Sequence, residues 1–383
     1  QVAGFRSQQR MAQRPIGRRR AEQVGPRIMR REVHKFGGAS VRDAEAVRNV
    51  GSIVLGLWNR GVQPVVVVSA MAKSTNALEK IWTGLPEGGA VEPLCADVLG
   101  FHANVVQELG LPEDLLQTDV AEFLAVAEGL KGRGSADAAG YDALVGFGER
   151  MSTRIVHAHL VQIGLAAQWL SAWELVRTDE AHRAAQVQLP ATGDAVRLAM
   201  TGIGQGLAVT QGFVGGAANG APTTLGREGS DFSGALFAEA WGAERLVVWK
   251  DVEGVMTGDP RHWPEATKMD RLDHGTAERM SLAGAGILHP ATMAPLRRAG
   301  IPLEVRSFQR PGLEGTVIGE QHALSDLPAL WAFEEEASGE KKVRCLTDDP
   351  DLAMAEWNAV FPDRQASSVE VDPNIEGCFR LVF

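Results

Sequence analysis

The sequence predicts an α/β protein built on a doubly wound, mainly parallel sheet with helices on both faces, and three observations carry that expectation. Pro64-Val65-Val66-Val67-Val68 is a continuous apolar, β-branched run, as in a strand covered on both faces. Strand-like runs alternate with helix-period segments through most of the chain. Two glycine-bearing loops, Lys35-Phe36-Gly37-Gly38-Ala39-Ser40 and Gly226-Arg227-Glu228-Gly229-Ser230-Asp231, each follow a β-prone run and lead into a helical pattern. Each can aim backbone N–H groups and a helix N-terminus at an anion, with Ser40 and Ser230 available as caps. Such loops, far apart in sequence, predict one cleft made from two halves of a large domain.

The elements follow in order. Residues 32–36 read as a strand, and 43–58 as a helix with apolar Val47, Val50, Ile53, Val54 and Leu57 on one face. Residues 64–70 form the next strand. A surface loop is expected over 129–140, a helix over 144–163, strands over 167–170 and 207–214, a helix over 231–241 and a strand over 245–249. Between 277 and 298 two helical stretches flank Leu288-His289-Pro290, with His289 read as structural, and 301–306 is a late strand. After Gly319 the last 64 residues hold 14 acids against 5 bases, which sets a boundary there. A weak strand-helix-strand pattern at 342–346, 351–361 and 368–371 predicts a small α+β unit. The expected division is a basic, disordered extension over 1–31, a catalytic domain over 32–319 and a small acidic unit over 320–383.

Composition excludes several classes. With 383 residues and 45% apolar content the chain can bury a full core. The first 31 residues carry +8, leaving −18 on the remainder, and so acidic a body disfavours nucleic acid as a partner. Cys95, Cys345 and Cys378 follow neither metal-ligand nor disulfide-framework spacing, which fits a reducing cytoplasm. No stretch approaches the length of a membrane-spanning helix.

Chemistry sits in nine ordered motifs: Lys35 to Val41, Val68-Ser-Ala-Met-Ala-Lys-Ser-Thr-Asn76, Phe147-Gly-Glu-Arg-Met-Ser152, Arg177-Thr-Asp179, Thr210-Gln-Gly-Phe213, Thr223 to Asp231, Trp249-Lys-Asp-Val-Glu-Gly-Val255, Asp259-Pro-Arg261 and Leu288-His-Pro290. Together they resemble aspartate kinase, a member of the amino acid kinase superfamily, over about residues 32 to 319. The resemblance implies transfer of the ATP γ-phosphoryl group to the side-chain carboxylate of L-aspartate, opening lysine, threonine, methionine and diaminopimelate biosynthesis, in a homodimer or higher homo-oligomer. It implies Lys35 and Asp231 as catalytic residues, to which this chain's own departure from the family pattern adds Lys250. Lys35, Phe36, Gly37, Gly38, Lys250, Asp251, Met256 and Arg261 would bind the nucleotide, with Mg²⁺ held mainly through phosphate oxygens. Ser69, Ala70, Thr75 and Ser230 would line the amino acid pocket, where Glu149 holds the α-ammonium and Arg177 grips the α-carboxylate. Trp249, ending an apolar run, reads as core.

The chain also departs from the family pattern. Many aspartate kinases carry Gly-Ala-Lys before Leu-His-Pro, where this chain has Gly284-Ala285-Gly286, and Trp-Thr-Asp-Val where it has Trp249-Lys250-Asp251-Val252. Lys250 is therefore expected to supply the charge missing at Gly286, as a flexible point charge. Ala39, Met256 and Glu228 are further departures. The tail suffices for at most one incomplete module of the regulatory ACT type. A non-catalytic regulatory homologue, and a kinase of another acidic amino acid, are the alternatives to an active aspartate kinase.

Overall fold

Strand β1 (Arg30–Phe36) runs up the centre of the main sheet, and its last five residues are buried. The computed structural model describes residues 29–85, 90–133, 137–226, 229–286, 288–319, 328–335 and 341–382. Residues 1–28, which hold most of the expected basic extension, lie outside the described residues, as do Arg227 and Glu228. β1 begins at Arg30, inside the segment assigned to that extension.

The remaining strands of the larger, N-terminal portion are β2 (Val62–Val68), β3 (Ala167–Leu170), β4 (Arg177–Thr178), β5 (Leu207–Gln211), β6 (Val214–Ala217), β7 (Pro222–Thr224), β8 (Arg245–Lys250), β9 (Arg271–Leu272), β10 (Leu303–Ser307) and β11 (Thr316–Ile318). Eight of the eleven form one sheet in the order β3-β5-β2-β1-β8-β10-β11-β9. All its pairings are parallel except β10 with β11. The valine run of β2 shows why that strand is apolar throughout. Val66 and Val68 pack with the helices Ala44–Asn59 and Phe147–Gln162, while Val65 and Val67 pack with Leu189–Ile203 and Gly229–Trp241 on the other face. The helix Ala44–Asn59 starts where Asp43 accepts from the Ala46 N–H at 2.8 Å. Ser40 therefore does not cap it: a short 3₁₀ turn intervenes, and the Ser40 hydroxyl donates to the Gly37 carbonyl at 2.6 Å.

Two expected elements are divided. The helix over 144–163 is two helices, Ala138–Val145 and Phe147–Gln162, joined at Gly146, where a Cβ would meet the Trp173 ring at 2.9 Å. The strand over 207–214 is also two. β5 belongs to the main sheet, and β6 joins β4 and β7 in a three-stranded sheet. The break falls at Gly212-Phe213; a Cβ on Gly212 would lie 2.7 Å from the Ser230 Cβ, so the chain can turn only through glycine there.

The C-terminal unit is a four-stranded antiparallel sheet with one helix. β12 (Leu330–Glu335), β13 (Lys341–Leu346), the helix Pro350–Val360, β14 (Ser368–Val371) and β15 (Cys378–Val382) give the order β12-β13-β15-β14. β12 and β15 escaped the sequence reading. The unit is fastened to the larger portion by rings: Trp331 stacks on Trp263 at 4.6 Å and meets Trp357 at 5.6 Å, and the Trp331 backbone N–H donates to the Thr257 carbonyl at 2.7 Å. Cys95, Cys345 and Cys378 are buried free thiols.

Candidate active site

Parallel register brings three separated segments to one edge of the sheet. Lys35 lies opposite Val67 and Val248, so the chain just beyond β1, β2 and β8 gathers Gly37, Ser69 and Lys250 at the carboxyl ends of the strands. Ligands of open α/β sheets bind outside that edge. The helix Gly229–Trp241 approaches β1 closely because Gly234 has no side chain; a Cβ there would stand 3.1 Å from a Leu246 methyl and 3.5 Å from the Lys35 Cβ. Its first turn carries Asp231 against both lysines. Lys35 Nζ lies 2.7 Å from Asp231 Oδ1, and Lys250 Nζ lies 3.5 Å from Oδ2. Burial alone would push the Asp231 carboxyl up, but the two ammonium groups hold it below the usual carboxylate range.

Two cavities adjoin neighbours of this triad: Ser230, next to Asp231, lines one and Lys250 lines the other, while Lys35 and Asp231 themselves line neither. One, of about 630 Å³, is lined by Gly38, Ser69, Ala70, Thr75, Glu149 and Ser230, together with Glu79, Tyr141, Arg183, Phe213 and Thr224. Two loops close on each other over it at Gly38, where a Cβ would lie 2.8 Å from the Ala70 carbonyl oxygen. Glu149, on the first turn of Phe147–Gln162, is 3% exposed and accepts from the Ala70 N–H through Oε1 at 3.1 Å. Its Oε2 is buried without a partner in the described structure. Burial pushes this carboxyl up to about 8, against an ordinary 4.5, with the Ala70 hydrogen bond and Lys35 opposing only in part. A cationic ligand group would satisfy that orphan oxygen. Across the cavity the Arg183 guanidinium stacks 4.2 Å from the Tyr141 ring centroid, and the Tyr141 hydroxyl donates to Glu79 at 2.6 Å.

The second cavity, of about 540 Å³, is lined by Lys250, Asp251, Gly254, Met256 and Arg261, by Gly284 to Gly286, and by Trp331 and Phe333 of the C-terminal sheet. Lys250 and Gly286 thus share one cavity, as the charge-exchange reading requires. Arg261 is held by a two-pronged contact with Asp259, whose nearer prong is 2.6 Å. Its wall is mixed polar and apolar, which fits a nucleotide with a planar base and charged phosphates.

Several expected site residues stand elsewhere, among them Gly37, which lines neither cavity. Arg177 lines neither cavity: it sits on the two-residue strand β4, paired with Gly216, with its side chain exposed, while Thr178 turns inward to Thr223. Arg183, six residues on, reaches the first cavity instead, because the loop after β4 folds back over Asp142. Phe36 also lines neither cavity; its ring is wholly buried and stacks on Trp249 at 5.8 Å. Gly38 lines the first cavity rather than the nucleotide-sized one. Ser230 is the second residue of its helix and not a cap. His289 is structural, its Nδ1 accepting from the Ala291 N–H at 3.2 Å. Glu79, Tyr141, Arg183, Trp331 and Phe333 were missed. The usable signal was a second arginine in the polar run Glu180-Ala181-His182-Arg183. Among the described residues no group of three or more His, Cys, Asp or Glu side chains is arranged to hold a metal, and no helix is long and apolar enough to cross a membrane.

Comparison with known proteins gives one consistent answer. The model of the amino acid kinase family matches residues 30–307. Lysine-sensitive aspartokinase 3 of Escherichia coli (strain K12) is 36% identical over 296 residues, covering 75% of this chain and 63% of the relative. Aspartokinase 2, chloroplastic, of Arabidopsis thaliana is 33% identical over 304 residues, covering 76% and 55%. The chain thus spans between about half and two thirds of these relatives' length. Among solved structures, E. coli aspartokinase III in complex with aspartate and ADP (R-state) superposes with a TM-score of 0.72 at 29% identity, covering 91% of this chain and 78% of that one.

Proposed function

The chain belongs to the amino acid kinase family, and from that premise we propose that it transfers the γ-phosphoryl group of ATP to the side-chain carboxylate of L-aspartate, giving 4-phospho-L-aspartate and ADP. The observation that carries this reading is the first cavity's charge pattern. Glu149 offers an unpartnered buried oxygen for an α-ammonium, and Arg183 is the one cation lining that cavity among the described residues, suited to an α-carboxylate. A free amino acid satisfies both, whereas an N-acetylated acceptor would leave Glu149 without a partner.

The reaction needs little proton chemistry. An aspartate side chain, with pKa about 3.9, is already ionised at neutral pH and requires no general base. The barrier is the approach of an anion to an anionic triphosphate. One bond forms between a carboxylate oxygen and the γ-phosphorus while the bond from that phosphorus to the β–γ bridging oxygen breaks, and ADP carries the displaced charge. Lys35 and Lys250 meet this charge, and Asp231, between them, fixes both ammonium groups in place before substrate arrives. Mg²⁺ carried on the phosphate oxygens would add further neutralisation. Lys250 replaces a cation absent at Gly286 in the same cavity. Gly37 leaves room beside the Lys35 ammonium, Gly38 lets its loop close on the Ala70 and Ala72 carbonyls, and Ser230 with Thr75 supplies hydroxyls at the acceptor.

We extend the reading to a cytoplasmic homo-oligomer acting at the head of lysine, threonine and methionine biosynthesis. Hydroxamate trapping of the acyl phosphate tests the core of it, with aspartate, glutamate and N-acetylglutamate as acceptors. Trapping with aspartate well above the other two is expected; equal trapping with N-acetylglutamate, or none with aspartate, overturns it.

A further inference from the structure

Among the described residues, three that are not glycine have positive φ: Ala72 at 49°, Arg183 at 70° and Phe213 at 71°. All three line the acceptor-side cavity. Side chains with a Cβ avoid this region, and residues persist in it only where their surroundings over-determine them. Each of the three has its backbone N–H fastened. Ala72 N–H donates to the Gly38 carbonyl at 3.1 Å, and Phe213 N–H donates to the Ser233 hydroxyl at 2.9 Å. Arg183 N–H donates to Asp142 Oδ2 at 2.9 Å.

The third fastening is the most heavily built. Asp142 is wholly buried on the helix Ala138–Val145, next to Tyr141. Its Oδ2 also receives His182 Nδ1 at 3.0 Å, and its Oδ1 accepts from the Thr224 hydroxyl at 2.6 Å. One carboxylate therefore ties together the helix that carries Tyr141, the loop that carries Arg183 and the strand β7 that leads into the second glycine loop. Asp142 does not line the cavity and has no place among the groups that meet substrate, yet it sets the backbone of the residue that does.

We propose that Asp142 is a positioning residue for the acceptor site, holding Arg183 in its left-handed conformation so that the guanidinium lies against Tyr141 and faces the α-carboxylate of the amino acid. The inference rests on the acceptor reading given above. Without the Asp142 anchor, the Arg183 backbone relaxes out of the positive-φ region, and the guanidinium leaves the Tyr141 face. The substitution Asp142→Asn would keep most of the anchor: the new amide nitrogen can face the Thr224 hydroxyl, which turns to accept, while the amide oxygen stays with the Arg183 N–H.

Steady-state kinetics on the full chain test this. D142A is expected to raise the aspartate KM by about tenfold or more, the scale of a misplaced binding group, with the ATP KM and kcat changed by less than about threefold. D142N is expected to recover most of the loss. In an R183A background D142A should add less than about threefold, because the residue it positions is gone. Equal rises in both KM values, no recovery in D142N, or fully multiplicative losses in the double variant overturn the proposal. If D142A does not yield folded protein by thermal melting, D142S takes its place with the same expected pattern. An inactive wild-type chain in the hydroxamate assay overturns the functional reading and this inference with it. An active wild type whose D142A variant keeps its aspartate KM overturns the inference alone.

Discussion

Replacing Glu149 by Gln separates what the buried carboxyl does for function from what it costs the fold. Burial raises its pKa from 4.5 to about 8, so the folded state binds its proton more tightly than the unfolded chain does. A raised acid of this kind destabilises the protein progressively as pH rises, beginning above 4.5 and levelling off beyond about 8. At 1.36 kcal/mol per unit the full penalty is on the order of 4 to 5 kcal/mol, of which roughly 2 is already present at about pH 6. The Gln side chain has the same shape, keeps an oxygen for the Ala70 N–H and carries no such penalty. E149Q should therefore gain stability over wild type by about 2 to 3 kcal/mol between about pH 6 and pH 9, a Tm gap that widens by several degrees. Its aspartate KM should rise by between about tenfold and a hundredfold, the scale of a lost charged hydrogen bond. Paired melting curves across pH, without ligand, provide the stability measurement, and initial rates provide the other. Parallel curves for the two proteins, or an unchanged aspartate KM, would refute the reasoning.

Three further outcomes are expected. K250T removes one of the two cations on Asp231 and should lower kcat by about a hundredfold, with weaker ATP binding; unchanged turnover and ATP affinity would end the charge-exchange reading. A72G relieves a positive-φ alanine and should raise stability by up to about 1 kcal/mol in chemical denaturation, and a loss of stability would count against strain at that turn. W331A, which deletes the ring stacked on Trp263, should cost about 3 to 5 kcal/mol and raise the ATP KM more than the aspartate KM; equal effects on the two would remove Trp331 from the nucleotide side.

The parallel sheet was legible because a doubly covered strand must be apolar on both faces, and the valines of β2 divide between two cores. The grouping of Lys35, Asp231 and Lys250, and the place of Glu149 in the first cavity, were legible because glycine turns mark themselves and the charges stand beside them in sequence; their roles remain those proposed above. Arg177 was misplaced for a definite reason. Sequence proximity to a motif does not reveal which way a two-residue strand turns its side chains, and the positive φ at Arg183 has no signature in residue type. The division of residues 207–214 between two sheets was hidden similarly, since it depends on a contact between Gly212 and Ser230, distant in sequence. β12 and β15 were missed because short strands alternate too weakly to mark themselves, even though β12 pairs with the next strand, β13, and β15 with the preceding one, β14.

β12 belongs to two bodies at once. Trp331 and Phe333 close part of the nucleotide-sized cavity, while the same strand forms an edge of the small C-terminal sheet. Free energies coupled through a common wall are reciprocal. Whatever factor the appendage contributes to nucleotide affinity, a bound nucleotide returns to the attachment of the appendage. Under the proposed function the two portions cannot be tuned independently: a substitution far out on the small sheet that shifts Trp331 against Trp263 would be felt as a change in how tightly the other portion grips its phosphate donor.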